Sequence, residues 1–280
     1  MTRFSVAKQR AELFGGHPTE HRNDAGRGCT LGIDECSRPQ QLLRTSLALA
    51  LFGDGLASSG AAVHRLLLYS FRVVPRFDSL DLIAGAPDNV TETIAAGADP
   101  LPGFRYAGIR DGRAQVLHIP TGGVLTVGPI PAYSRHYEGY VREHALTHRE
   151  RMATARWELV SEDARVLLAG LVARLSIDLG DGGYGHLLDY QLPDRSRSSL
   201  EELELTGAHN EWMLTVTGSL AVDRLARVMA AAPHGIAGCV ARQYSDNHVM
   251  FRLGRCEFHV FVPGPSLRCV PPKLVSTQAR

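Results

Sequence analysis

The fold of this chain is decided by the stretch VMFRLGRCEFHVFV, which runs from Val249 to Val262. Apolar residues alternate with polar ones on both sides of Gly254-Arg255, as they do in half-buried strands. A glycine at the first central position suits a two-residue type II′ turn. The stretch therefore predicts a β-hairpin with one apolar face.

The residues upstream extend this hairpin into a larger unit. Trp212 to Thr217 is typical of a strand, Ser219 caps an amphipathic helix, and strand character resumes from Ala237 to Tyr244. All the local signals in this region agree with one another. The sequence therefore predicts a β-α-β-β-β unit from about Glu211 to Val262.

The first half of the chain carries a second hairpin signal at Asp111-Gly112, because both residues tolerate the positive φ of a type I′ turn. Phe104–Arg110 and Arg113–Ile119 are expected to pair across it. The rest of this half is predicted to contain a helix from Ser37 to Gly53, a strand from His64 to Val74 and a strand from Val124 to Val127. Residues 76–103 are expected to be mostly connection, with a short helix around Val90 to Ala96.

Two longer helical patterns lie between the halves, from Ser134 to about Trp157 and from Ser161 to about Leu175. We expect them to form an antiparallel pair. The predicted fold class is therefore α+β, with mainly antiparallel sheets, a central antiparallel helix pair and the C-terminal β-α-β-β-β unit.

The domain organisation follows from these elements. We expect a polar N-terminal arm over residues 1–36, an N-terminal α+β part over 37–160, a C-terminal α+β part over 161–265 and a proline-containing tail over 266–280. Leu125–Gly128 resembles Leu214–Gly218, which is the one hint of internal repetition. We favour chance over duplication as its cause.

Composition argues against several classes of function. A net charge of +1 gives no global attraction to nucleic acid or anionic lipid. The five cysteines occur without a signal-peptide pattern, which favours reduced thiols in the cytoplasm or another reducing compartment. The longest apolar run, Leu47 to Phe52, is far shorter than the roughly 20 residues that cross a bilayer, so we expect no membrane span.

Two histidines are the strongest candidates for metal ligands. In a continuous helix from Ser134, His144 and His148 would lie one turn apart in the middle of the inward face. Such a pair can chelate one metal ion, but a third ligand would have to come from elsewhere, with His118 or His64 as possible donors. The alternatives are an acid/base site and buried histidines that hydrogen-bond to neighbouring strands.

A second cluster consists of His17, His21, Cys29 and Cys36. Four potential ligands within twenty residues of a segment without a core of its own would suit a structural zinc. The spacing lacks the Cys-x2-Cys knuckle of common zinc modules. The competing interpretation is a disordered or docking arm.

A third set of candidates lies in the C-terminal unit. Arg242, Arg252 and Arg255, together with Tyr244 and nearby phenylalanines, can form a basic and aromatic sheet surface of the kind that binds single-stranded RNA. Alternation, however, turns Phe251 to the face opposite Arg252. The phenylalanines are therefore expected to belong to the core.

The sequence contains no complete catalytic constellation and favours a non-enzymatic interaction or assembly protein, such as a structural subunit or adaptor of viral origin or from a GC-rich bacterium. Its expected partner is another protein or a second copy of the chain, without a membrane. The alternatives are a metal-dependent enzyme that uses His144 and His148, and an RNA-binding protein that uses the C-terminal sheet. No cofactor is expected, unless zinc or another divalent metal occupies a histidine cluster.

Overall fold

The computed structural model describes residues 2–26, 30–53, 70–97, 100–130, 145–177, 202–217 and 222–263. Within these ranges the chain forms six α-helices and two five-stranded sheets. Both sheets are antiparallel except for one central parallel pair in each. The predicted α+β class with mainly antiparallel sheets is confirmed.

The helices are α1 (Arg3–Phe14), α2 (Arg38–Phe52), α3 (Pro87–Thr91, continued by a wider turn over Glu92–Ala96), α4 (His148–Ala155), α5 (Glu162–Ala173) and α6 (Val222–Ala230). The strands of the first sheet are β1 (Ser70–Pro75), β2 (Ser79–Ala84), β3 (Phe104–Arg110), β4 (Arg113–His118) and β5 (Gly123–Gly128). Those of the second are β6 (Glu202–Ala208), β7 (Glu211–Thr217), β8 (Val240–Ser245), β9 (His248–Leu253) and β10 (Cys256–Phe261).

The two sheets have the same topology. Their orders are β1-β2-β5-β4-β3 and β6-β7-β10-β9-β8, and in both a helix connects the second strand to the third. A further helix precedes each sheet, α2 in one case and α5 in the other. The chain therefore contains one α-β-β-α-β-β-β unit twice, which we call the first and second repeats.

The repeats pack together in a reciprocal way. α2 and α5 lie against each other, α2 also contacts β6 of the second sheet, and α5 also contacts β1 of the first. Gly53, just after α2, forms a bridge to Leu205 of β6. Ser176, just after α5, hydrogen-bonds to the backbone of Val73 in β1. One continuous apolar core runs through both repeats.

The repeated topology bears on the resemblance between Leu125–Gly128 and Leu214–Gly218. Leu125–Gly128 lies in β5, whereas Leu214 lies in β7. These strands occupy different places in their sheets, fifth and second in chain order. The resemblance between the two stretches is therefore not the trace of the repeat, which the strand order shows instead.

Several local predictions are confirmed. The C-terminal β-α-β-β-β unit is present as β7-α6-β8-β9-β10. The hairpin of β3 and β4 turns at Asp111 and Gly112, whose φ angles are 51° and 68°. Gly254 between β9 and β10 also has a positive φ, of 56°.

The first helix of the predicted central pair does not extend as expected, and the antiparallel pairing stays a prediction. Ala145 to Thr147 are not helical, and Thr147 begins α4 with a capping box in which its side chain accepts from the N–H of Glu150 and Glu150 accepts from its backbone. A single helix from Ser134 to Trp157 is therefore excluded, although residues 131–144 lie outside the described ranges. The helix that packs along α5 is α2.

The N-terminal segment also differs from the expected polar arm. α1 buries Val6, Ala7, Arg10 and Phe14, and Leu31 joins the same core. Arg10 donates to the Leu31 carbonyl and the Pro75 carbonyl, which fixes the segment on β1. In its described part this segment belongs to the first repeat's packing.

Candidate functional site: the outer face of the second sheet

The second sheet has a buried inner face. α6 packs against β8 and β9, and α5 packs against β9 and β10. The inner side chains are buried, and they include Trp212, Leu214, Phe251, Phe258 and Val260. The assignment of Phe251 and Phe258 to the core is confirmed. On the opposite side, which we call the outer face, no helix of the described part of the chain is packed.

The strand registers determine which side chains share the outer face. Arg242 lies opposite Met250, which lies opposite His259, and Val240 lies opposite Arg252, which lies opposite Glu257. The outer-face side chains of β8, β9 and β10 are Val240, Arg242, Tyr244, His248, Met250, Arg252, Glu257, His259 and Phe261. Most of them are exposed or half-buried, and Tyr244 is 50% exposed.

Aromatic rings form a continuous layer on this face. The Tyr244 and His248 rings stack, with centroids 4.9 Å apart and planes at 21°. The edge of Phe261 meets His248 at 84°. The Arg242 guanidinium lies 5.0 Å from the Tyr244 ring centroid, which is cation–π geometry. These contacts pack Arg242, Tyr244 and His248 side by side.

Two histidines share a hydrogen bond within this layer. His248 Nε2 lies 3.1 Å from His259 Nδ1, so one ring donates its N–H and the other accepts it. Burial, and then the charge of His259, lower the pKa of His248. His259 Nε2 lies 3.9 Å from a Glu257 carboxylate oxygen. This pair was not predictable from the sequence, because it depends on the register between two strands.

Charge is distributed unevenly across the face. Arg242 and Arg252 are exposed on this face, and neither forms an ion pair within the described residues. Arg255 is also exposed, but it lies in the turn between β9 and β10, where its backbone N–H donates to Asp163 of α5. Glu257 and Glu211 lie opposite each other on β10 and β7, and Glu204 of β6 lies opposite Thr215, farther along the same face of β7. The face is therefore basic along β8 and β9 and acidic toward β6.

The equivalent face of the first sheet is covered. Asp81 and Thr126 lie opposite each other there and are buried, and the Thr126 hydroxyl donates to Asp81 at 2.8 Å. Arg76 joins Asp81 to Asp24 of the N-terminal segment. The two repeats thus share a sheet topology but differ in what lies on the outer face.

The structure places the predicted metal histidines differently. His148 is the first residue of α4 and is exposed, and Met152 one turn later is 57% exposed. The prediction that His148 faces inward is therefore wrong. His144 lies outside the described residues, so a His144–His148 metal pair stays a prediction.

The described N-terminal ligand candidates have separate structural roles. His21 is buried and donates from Nε2 to the Gly15 carbonyl at 2.8 Å, while His17 caps the turn that follows it. Cys36 is half-buried, and burial raises the pKa of its thiol. Cys29 lies outside the described residues. Among the residues that are described, no three His, Cys, Asp or Glu side chains are grouped to hold a metal.

A small cleft on the first repeat contains His118, which was predicted only as a possible third metal ligand. His118 is fully buried at the end of β4, and its Nδ1 lies 2.9 Å from the Thr121 hydroxyl. Burial lowers the pKa of His118 to about 3, so the ring is neutral near pH 7. The cleft is also lined by Ser46, Leu49, Thr154, Arg156 and Trp157. Its described lining contains no carboxylate to act with the histidine.

The chain matches no family model, no curated protein and no solved structure. None of the helices in the described ranges is long and apolar enough to cross a membrane. The case for function therefore depends on the geometry of the chain itself.

Proposed function

We propose that this chain is a non-enzymatic binding protein that holds a protein partner on the outer face of its second sheet. The observation that supports the proposal is the aromatic layer of Tyr244 and His248 with Arg242 packed on it. Tyrosine and arginine are the residue types that most often contribute binding energy at protein interfaces. Ring stacking orders these side chains before a partner arrives, which lowers the entropy cost of binding.

The comparison between the repeats supports the same proposal. In the first repeat, the N-terminal segment covers the outer face and pairs its charges. In the second, arginine side chains on that face have no ion pair among the described residues, and Val240 is 57% exposed. A partner would cover these groups as the N-terminal segment covers Asp81.

RNA binding is the second candidate. Stacked Tyr244 and His248 next to Arg242 provide the aromatic and cationic groups on which single-stranded bases stack. Glu257 and Glu211 on the same face would repel a phosphate backbone. A protein partner with both charges fits this face better. The metal-dependent enzyme built on His144 and His148 rests on sequence alone.

A photo-crosslinking experiment tests the proposal. Benzoylphenylalanine is placed at Tyr244 in the full-length chain, and at Ile109 of β3 as the matched control, because Ile109 is also an exposed apolar residue on the equivalent strand. We expect Tyr244 to give a discrete protein adduct in cells, and Ile109 to give none.

Equal adducts at both positions, or none at Tyr244, would refute the proposal. A Tyr244 adduct that ribonuclease digests would support RNA binding in its place. The double variant R242E/R252E, with crosslinker at Tyr244, should lose most of the adduct while its circular dichroism spectrum stays unchanged.

A further inference from the structure

Three of the four sheet edges are contacted at one point, or at one end, by another described segment. β1 is closed by the hydroxyl of Ser176, which hydrogen-bonds to both backbone groups of Val73. β6 is closed by its bridge to Gly53. The start of β3 is covered, since Phe104 and Arg105 are buried and Arg105 pairs with Glu150 of α4 at 2.6 Å, whereas Ile109 and Arg110 at its other end are exposed.

The fourth edge, β8, differs from the other three. Five of its six residues are exposed, and Ala241 is half-buried. Besides its ladder with β9, β8 has no backbone hydrogen bond to another described segment. An open strand edge presents unpaired N–H and C=O groups to any extended chain.

The side chains of β8 define what such a chain would carry. Val240, Arg242 and Tyr244 alternate along the outer face, so the basic side chain lies between two apolar ones. Arg252 lies beside Val240 on the next strand and adds a second positive charge. Cross-strand neighbours pair most favourably when charges are opposite and apolar groups meet.

We propose that β8 accepts an extended acidic segment of a partner protein as a sixth strand, with the pattern apolar-x-acidic-x-apolar. The acidic side chain pairs with Arg242, and the apolar ones lie beside Val240 and Tyr244. A register irregularity between Gln243 and Ser245 ends the regular ladder, so backbone pairing covers Val240–Gln243 and Tyr244 offers a side-chain contact just beyond it. This inference rests on the proposed function and identifies the chemistry of the partner.

Synthetic peptides test this inference in the full-length protein. The probe is a fluorescein-labelled peptide, TVTETVT, and binding is measured by fluorescence anisotropy at low salt. A charge-swapped probe, TVTKTVT, tests the role of the acidic side chain. Two further versions carry N-methyl groups on alternate backbone nitrogens, in opposite phases, so that each blocks one hydrogen-bonding edge of the peptide.

Strand addition predicts a specific set of results. TVTETVT should bind at least tenfold more tightly than TVTKTVT, and the variant R242E should reverse that preference. One methylated peptide should lose binding while the other keeps it, because only one edge faces β8. The control variant R110E makes the same charge change on β3, where Arg110 is exposed, and should alter the affinity less than twofold.

Each contrary result overturns the inference. Equal binding of both methylated peptides would mean that charge alone acts, and equal effects of R242E and R110E would mean that the site is not β8. Displacement of the peptide by an equal concentration of oligouridine would favour nucleic acid. No binding of TVTETVT removes strand addition, whereas the crosslinking at Tyr244 still decides the broader proposal.

Discussion

The hydroxyl of Ser176 makes two hydrogen bonds to one residue of the other repeat, Val73. The Val73 N–H donates to Ser176 Oγ at 2.6 Å, and the hydroxyl donates to the Val73 carbonyl at 3.2 Å. Both residues are buried. A single side chain therefore satisfies the edge of β1 where the two repeats meet.

The variant S176A should destabilise the protein by about 1–3 kcal/mol, because it leaves a buried N–H and a buried carbonyl unpaired. The free energy of unfolding in urea measures this effect. T93A serves as the control. The Thr93 hydroxyl donates to the Asn89 carbonyl, one turn earlier in the same helical segment, in an exposed hydrogen bond, so its loss should change stability by less than about 0.5 kcal/mol. Equal effects of the two variants would contradict the role given to Ser176.

Replacing Asp34 should lower the free energy of unfolding more than S176A does. Its carboxylate receives two hydrogen bonds from Arg174, at 2.5 and 2.6 Å, and the Arg174 side chain is fully buried. D34A leaves that guanidinium without its counter-charge, which costs about 3 kcal/mol when a buried pair is broken. E162A removes the partner of Arg38 in an exposed pair and should cost less than about 1 kcal/mol. The ranking of the two urea midpoints checks the prediction.

Glu150 should contribute acid-sensitive stability. Burial alone would raise its pKa, but hydrogen bonds from Arg105 and from the N–H groups of Thr147 and Gly103 lower it to about 2. The folded-state pKa lies below the unfolded one, so this stability is present above about pH 4.5 and is lost as the pH falls toward 2. Urea midpoints between pH 5 and 2.5 should fall less steeply in E150Q than in the wild type. E158Q, which changes an exposed glutamate, should keep the wild-type slope.

His118 should make stability depend on pH over a higher range than Glu150 does. Its pKa is lowered to about 3, chiefly by burial, so the unfolded chain takes up a proton below about pH 6.5 that the folded chain does not. Stability should therefore decrease by up to about 1.4 kcal/mol per pH unit as the pH falls from 6.5 toward 3. H118Q should remove this component, whereas H148Q, at an exposed position, should retain it. An unchanged slope in H118Q would show that the buried ring titrates normally.

Elements fixed by local signals were predictable from sequence. The turns at Asp111-Gly112 and Gly254-Arg255 set the registers of two hairpins, and alternation then assigned Phe251 and Phe258 to the inner face. α1 and β2 were not predicted, and each buries a charged side chain. Arg10 of α1 donates to the Pro75 carbonyl, and Asp81 of β2 accepts from the Thr126 hydroxyl, so both side chains are hydrogen-bonded by residues distant in sequence.

Relations between distant segments were beyond the reach of the sequence. The packing of α2 on α5 depends on the arrangement of two whole repeats. The histidine pair likewise needs the register of β9 on β10, since His248 lies opposite Phe261 and beside His259 only in that alignment. The start of α4 could have been predicted, because Thr147 and Glu150 have capping-box spacing. The helical periodicity from Ser134 to Trp157 runs across this position and favoured a longer helix.

The repeated architecture has a consequence for how this protein tolerates change. The first repeat uses its outer face to hold the N-terminal segment, so substitutions at Asp81 or Arg76 would disturb folding. The second copy has no such obligation at Arg242 or Tyr244, whose side chains support no core contact. The outer face of the second repeat can therefore change in sequence without loss of the fold, whereas the outer face of the first repeat cannot.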